Sequence, residues 1–355
     1  MCLRNSYIIS LLMVFLTWNS AAQDIHFSQT TRSSFQMNPA FTGAYHGNVQ
    51  ATINWKDQWQ SVNKTFRTYS AQIEYAFGKG NPKRPLYFAV GGLAYKDVSG
   101  DIEMGNSMIG MNFSTLIKVN RHGRFILGVQ SIYGTSGLNT SAMQWGSQYN
   151  GLNFDPSLAN GEGIEYVPFK YWDLAAGVAY WFHKEDSRVM ATSAADAKIG
   201  FAIYHLNRPE YSHVRPFDPR LPFRYVGHFS SIFTTRWHDL YWFPNLTGVV
   251  QGKQHEILVG SLWKYRLQEG TKNTGFVKEI STSFGADLRV TNVLDAVIPQ
   301  LYLNVGSFSV GLSYDINVSY FRTASQYRGG FEFSLRFTNP DAYLMRNPFR
   351  NPVAI

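Results

Sequence analysis

The sequence holds a single cysteine, at position 2, among its 355 residues. No disulfide framework and no cysteine-based metal or redox site can be built from it. Cys2 also precedes the apolar stretch Ile8 to Leu16, so it cannot be the acylated cysteine that ends a lipoprotein leader. Charge is scarce too: Asp, Glu, Lys and Arg make up 16% of the chain, against roughly 25% in soluble globular domains. That shortage argues against a soluble enzyme. After the leader there is no apolar run of the roughly 18 residues that a membrane-spanning helix needs, which excludes a helical membrane protein. The formal charge is +8, but the basic residues are scattered. Their densest groups, Lys79 to Arg84 and Arg215 to Arg224, lie among Gly and Pro as loop charges do, so no nucleic-acid partner is expected. The glycine pairs Gly91-Gly92 and Gly329-Gly330 lack phosphate-loop spacing and predict bends or close backbone approach instead.

What is abundant is aromatic and glycine: 26 Phe, 21 Tyr, 9 Trp and 30 Gly. The pattern that carries them has a period of two. Val49, Ala51, Ile53 and Trp55 alternate with Gln50, Thr52, Asn54 and Lys56, which on a strand places one set toward lipid and the other toward a lumen. Tyr69 to Phe77 repeats this, and further runs follow: Leu86 to Tyr95, Ile109 to Ile117, Phe125 to Tyr133, Trp172 to Tyr180 and Lys198 to Leu206. Others span Phe223 to Thr234, Trp242 to Gln251, Gln254 to Tyr265, Lys278 to Val290, Val297 to Val305, Phe308 to Tyr320 and Tyr327 to Phe337. The fold class is therefore all-β: a transmembrane antiparallel β-barrel of outer-membrane type with about 14 strands, an even number that closes without an edge. Trp55, Trp59, Trp172, Trp181, Trp237, Trp242 and Trp263 fall at or near the expected strand ends, which suits interface girdles or, for some of them, lumen packing.

The organisation expected is a signal peptide over residues 1–22, an N-terminal lead or plug over 23–47, a barrel over 48–338 and a C-terminal extension over 339–355. The leader has Arg4 ahead of its apolar core and Ser20-Ala21-Ala22 as a small-residue cleavage site. Cleavage would take the formal charge from +8 to +7 and leave no cysteine. The segment Gly137 to Pro168 and the four-proline segment Arg208 to Pro222 read as long loops.

Few residues suggest chemistry. Asn38-Pro39 is a turn signal, and as part of a lead inside or beneath the barrel it is also a candidate partner contact. His205, Asn207, Arg208 and Pro209 end a strand, where Arg208 is expected to pair with a carboxylate. His213 is near in sequence, but no carboxylate pair or cysteine completes a metal-ligand spacing. Ser212-His213 lacks an acidic third member and a nucleophile elbow. No catalytic, cofactor-binding or metal residue is assigned. Arg346 and Arg350 lie in a proline-bearing tail that reads as a disordered end or as a basic peptide contact on the periplasmic side.

Several fragments resemble the PorP/SprF family. They are His26-Phe27-Ser28-Gln29, Met37-Asn38-Pro39-Ala40-Phe41-Thr42-Gly43, Trp55-Lys56-Asp57-Gln58-Trp59, and Tyr204-His205-Leu206-Asn207-Arg208-Pro209. Tyr314-Asp315-Ile316 and Gly329-Gly330-Phe331-Glu332-Phe333-Ser334-Leu335 complete the set, in family order over nearly the whole chain after the leader. The tail beyond 338 departs from the family, whose members tend to stop soon after the last strand. The resemblance implies a non-enzymatic outer-membrane component of type IX secretion and gliding in Bacteroidetes-type cells. It also implies its partners: a ring lipoprotein with associated periplasmic subunits, the C-terminal sorting domain of a secreted adhesin, and outer-membrane lipid. A channel or transporter for small molecules is the alternative. Folded cargo would not pass a barrel of about 14 strands.

Overall fold

The computed structural model describes residues 27–58, 66–79, 84–100, 102–139, 142–161, 167–184, 195–213, 219–237, 239–269, 278–320 and 322–339. Trp59, Arg346 and Arg350 lie outside these. Fourteen antiparallel strands form one closed barrel in which β1 (Val49–Gln58) pairs on one side with β2 (Phe66–Phe77) and on the other with β14 (Arg328–Asn339). Between them run β3 (Leu86–Ser99), β4 (Met104–Lys118), β5 (Gly123–Gly137), β6 (Phe169–Lys184), β7 (Ala195–Tyr204) and β8 (Arg224–Thr234). The circuit is completed by β9 (Leu240–Gln251), β10 (Gln254–Gln268), β11 (Ile280–Val290), β12 (Leu294–Val305) and β13 (Phe308–Asn317). Closure leaves no strand edge to be satisfied in hydrocarbon, where an unpaired backbone group costs several kcal/mol.

Alternation along each strand decides which face meets lipid. On β1, Gln50, Thr52, Asn54 and Lys56 are buried and Ile53 is exposed; on β2, Thr68, Ser70, Gln72 and Glu74 are buried while Tyr69, Ile73 and Tyr75 are exposed. The outward face carries Ile109 and Met111 at 63% and 71% exposure, an inversion of soluble-protein burial that only an apolar solvent makes favourable. Because the strand number is even, both ends of the barrel sheet emerge at one rim, called here the terminal rim. The long connections 138–168 and 205–223 both lie at the opposite rim. Two-residue hairpins use Gly252 (φ +59°) at the opposite rim and Gly306 (φ +57°) at the terminal rim, a backbone state open to glycine without a Cβ penalty.

Several connections carry more structure than their composition suggests. In 205–223, Glu210 and Arg220 form an isolated bridge, with the Tyr211 and Leu221 amides donating to the Pro219 and Pro209 carbonyls. The prolines supply acceptors there, which needs no N–H of their own.

An eight-stranded barrel is filled by its own side chains, whereas 16 to 18 strands leave a channel. With fourteen, wall side chains alone do not fill the interior, and the N-terminal segment does. Phe27 and Phe35 are fully buried against Leu93, Tyr95 and Ile132; Met37 packs with Ala175, Ala202, Tyr204 and Val226; Ala40, Phe41 and Ala44 meet Ala89, Leu116, Ile126 and Trp181. Burial of each large apolar side chain stabilises this docking by about 1.5–3 kcal/mol.

The wall is shaped to receive the plug. A Cβ added at Gly128 would collide with the backbone of Pro39 and Ala40, one at Gly91 with the Phe35 ring, and ones at Gly177 and Gly200 with the Asn38 amide. These inward glycines on β3, β5, β6 and β7 are the places where the segment touches the sheet. Gly128→Val should therefore displace Pro39-Ala40 and cost about 1–3 kcal/mol through overpacking. Protease cleavage within residues 27–47 of folded protein checks this; unchanged protection would contradict it.

Candidate functional site

The lumen interface between plug and wall has three anchor points. The first lies in the half of the barrel toward the opposite rim. There the Ser28 and Gln29 amides donate to the two Glu332 carboxylate oxygens at 2.7 and 3.1 Å, and Ser28 Oγ donates to Asp315 at 2.7 Å. Ser28 Oγ in turn accepts from Lys56 Nζ at 3.0 Å and from Arg289 Nη2 at 2.8 Å. Asp315 is shared by Arg289 at 2.7 Å and Lys56 at 3.6 Å, and Arg289 also faces Glu256 and Asp295, each at 3.8 Å. The Gln29 amide nitrogen donates to Ser313 Oγ at 3.2 Å, and its oxygen accepts from Ser334 Oγ at 2.6 Å. Charges removed from water in this way hold only when paired and hydrogen-bonded, so the cluster fixes both register and depth of the plug.

The second anchor is Asn38. Its side-chain oxygen caps the short turn Pro39–Phe41 by accepting from the Ala40 amide at 2.8 Å, with Pro39 in the first helical position, where its missing N–H costs nothing. Its amide nitrogen donates to the Val178 and Phe201 carbonyls of β6 and β7 at 3.0 and 3.3 Å. The turn signal and the contact with the barrel are thus one feature. Nearby, Glu74 accepts from Ser34 Oγ at 3.1 Å and from the Gly43 amide at 2.9 Å, and Gly43 takes φ +75° in a space that a Cβ would share with Ala89. Ser114 Oγ donates to the Thr42 carbonyl at 2.6 Å.

The third anchor closes the terminal rim. Lys198 donates to the Ala44 carbonyl at 2.5 Å, and Lys79 reaches the carbonyls of Gly43 and Tyr45. His46 Nε2 and His183 Nδ1 each stand 3.1 Å from the same oxygen of Asp196, while Trp181 Nε1 donates to both oxygens at 3.0 Å. Desolvation pushes the His46 imidazole down to about 4, against the opposing pull of Asp196.

At the opposite rim, the strand ending in Tyr204 passes into a clamp. His205 (φ +60°) lies 3.1 Å from Asp173, and the Asn207 side chain accepts from the Leu174 amide at 3.1 Å and donates to the Trp172 carbonyl at 2.5 Å. Arg208 stacks over the Phe223 ring at 5.5 Å; the carboxylate pairing expected for it is not among the described residues. Pro209 supplies its carbonyl to the bridge above. His213 Nε2 meets Ser136 Oγ at 2.9 Å, and its Nδ1 meets the Val167 carbonyl at 3.1 Å. A backbone carbonyl stands where a triad carboxylate would be, and Ser136 is buried, so this pair clamps the loop over the lumen rather than presenting a nucleophile.

The residues singled out in the sequence do not form one site. Asn38, Pro39 and Gly43 lie inside the lumen. Trp55 points outward against Phe331, with ring centroids 5.9 Å apart, while Asp57 is buried 3.7 Å from Arg67 and Gln58 is the last residue of β1. His205 to Pro209 belong to the opposite rim. The lumen cluster joins Ser28, Lys56, Asp315 and Glu332, one from each of four quoted fragments, two near the start of the chain and two near its last strands. No single-residue reading selected them, nor did one select His46, His183 and Asp196. The signal was a charged residue on the inward face of an alternating strand, and one sequence does not say which such residues meet.

A family model described as the type IX secretion system membrane protein PorP/SprF matches residues 19–337. No curated protein matches the chain. Among solved structures it is similar to a TodX deltaS2S3 mutant monoaromatic hydrocarbon channel, with 9% identity over 85% of this chain and 92% of that one, at a TM-score of 0.46. It is similar to the CymD monoaromatic hydrocarbon channel, with 9% identity, 87% and 93% coverage and a TM-score of 0.44. BamA from Haemophilus ducreyi lacking POTRA domains 1-3 gives 8% identity, 82% and 70% coverage and a TM-score of 0.40.

Proposed function

The chain belongs to the PorP/SprF family of type IX secretion system membrane proteins, and on that premise we propose that it is a closed, non-enzymatic outer-membrane adaptor of that machinery. One observation carries the reading: the N-terminal segment is held in the lumen by hydrogen bonds and ion pairs from the wall, so the barrel offers surfaces rather than a passage. An adaptor works by affinity and placement, for which a rigid, filled barrel is suited.

In outer-membrane barrels the short turns and both chain ends face the periplasm and the longer loops face outward. On that rule the terminal rim, with the exit of the plug and the start of the tail, is the periplasmic surface that meets a ring lipoprotein and its associated subunits. Arg346 and Arg350 in the tail would add basic contacts there. The rim bearing 138–168 and 205–223 is the surface available to the C-terminal domain of a secreted adhesin. The outward belt of Ile, Met, Leu and aromatic side chains takes outer-membrane lipid.

Planar bilayers separate this reading from a channel. The full chain should give no reproducible single-channel steps. Stable steps with a defined selectivity would favour small-molecule transport and count against the adaptor.

A further inference from the structure

The third anchor has the makings of a metal centre. His46 comes from the plug, His183 is the penultimate residue of β6 and Asp196 the second of β7, so a ligand from the plug and two from neighbouring strands converge at one point of the terminal rim. One donor atom from each residue lies within 4.8 Å of the other two. Both imidazole nitrogens stand 3.1 Å from the Asp196 oxygen. Neighbouring ligands on a tetrahedral zinc, with bonds of about 2.0–2.1 Å, are roughly 3.3 Å apart. Seating a central ion would lengthen the two His–Asp196 separations by about 0.2 Å and draw the two imidazole nitrogens, which lie within 4.8 Å of one another, closer together. Two imidazoles and one carboxylate form a borderline donor set that suits zinc among the available divalent ions and does not suit calcium or magnesium, which prefer all-oxygen shells.

The surroundings fit an open, three-ligand site. Trp181 Nε1 donates to both Asp196 oxygens at 3.0 Å, the kind of outer hydrogen bond that orients a ligating carboxylate. The His46 and His183 side chains are 26% and 19% exposed, so a fourth position opens to the rim for water or for a donor from a partner. Lys79 and Lys198 also lie over the Trp181 ring, at 5.6 and 5.2 Å, and their charge weakens binding of a cation. Both ammonium groups also donate to plug carbonyls, and the Lys198 charge acts on Asp196 across space, so an ion entering the site competes with it.

We propose that His46, His183 and Asp196 bind one divalent transition-metal ion, zinc by preference, and that this ion ties the exit of the plug to the β6–β7 wall. Its consequence is mechanical: one ligand is on the plug and two are on the barrel, so the loaded site adds a cross-link between them.

The test is made on the intact chain in detergent after chelator treatment and removal of the chelator. Equilibrium dialysis against zinc, read by elemental analysis, should give one zinc per chain, and the His46→Ala/His183→Ala double variant should lose it. Trp181→Phe should bind about 10–100-fold more weakly, the usual effect of removing an outer hydrogen bond. Heat-dependent gel mobility reports whether each variant remains a folded barrel. Cobalt titration of the unaltered protein gives a second readout that needs no variant: visible ligand-field bands saturating at one equivalent support a built site. Absence of stoichiometric zinc and of those bands in the unaltered protein would overturn the proposal. So would undiminished zinc binding in a folded double variant.

Discussion

Asp315→Ala is expected to lower the stability of the plugged barrel by about 3–5 kcal/mol, the usual cost of removing one partner from a buried ion pair. Asp315 is 1% exposed and accepts from Arg289 and Ser28 while facing Lys56. Its removal leaves two buried cations with less compensation and deprives the Ser28 hydroxyl of its carboxylate acceptor. Asp315→Asn keeps the shape and one acceptor, and should cost less. Denaturant unfolding in a detergent that supports two-state behaviour gives the magnitude, and proteolysis within 27–47 shows whether the plug is the part released. A loss below about 1 kcal/mol, which is what a surface pair contributes, would mean that the cluster does not anchor the segment.

Deletion of residues 27–45 is expected to convert a silent barrel into a conducting one. The strands pair around the whole circuit without help from the plug, so closure survives the deletion. Once the segment is gone, Glu74, Lys56, Arg289, Asp315 and Glu332 face water instead of a buried interface, and hydration replaces the lost partners. Folding should therefore persist although several kcal/mol of apolar burial are forfeited. Single-channel steps seen with the deleted chain and not with the full chain would confirm occlusion by the N-terminal segment. Silence in both would place the block at the opposite rim, where Tyr211 of the connection 205–223 meets Phe169 and Tyr171 of β6 at ring distances of 4.8 and 5.4 Å.

The barrel was legible because its cause is local. Alternation of lipid-facing and lumen-facing side chains has a fixed period of two, and the sequence shows it strand after strand, through to fourteen. Ends were less legible: the run Lys198 to Leu206 belongs to a strand over Ala195–Tyr204, because a strand rim is polar and its hydrogen bonds carry no sequence mark. The lead before β1 was visible as a segment, but not its path. Ser28 meets Asp315 across 287 positions and Glu332 across 304, and no pattern in one sequence links residues so distant. Asn38-Pro39 shows the same division. Its turn follows from proline geometry and a capping side chain, whereas its contact with β6 and β7 depends on Gly177 and Gly200, which leave room for it. Glycines on the inward face of strands were the available signal for a close-packed plug, and at Gly91 that approach is to Phe35.

The central claim, an adaptor of type IX secretion, is tested most directly by gentle-detergent purification of the tagged full chain from its native membrane, with mass spectrometry of the chains that follow it. Recovery of a secretion-ring lipoprotein with its periplasmic subunits, or of an adhesin's C-terminal domain, is the expected result, reduced when the chain is cut after residue 339. A barrel that purifies alone under conditions that keep the secretion ring intact would contradict it.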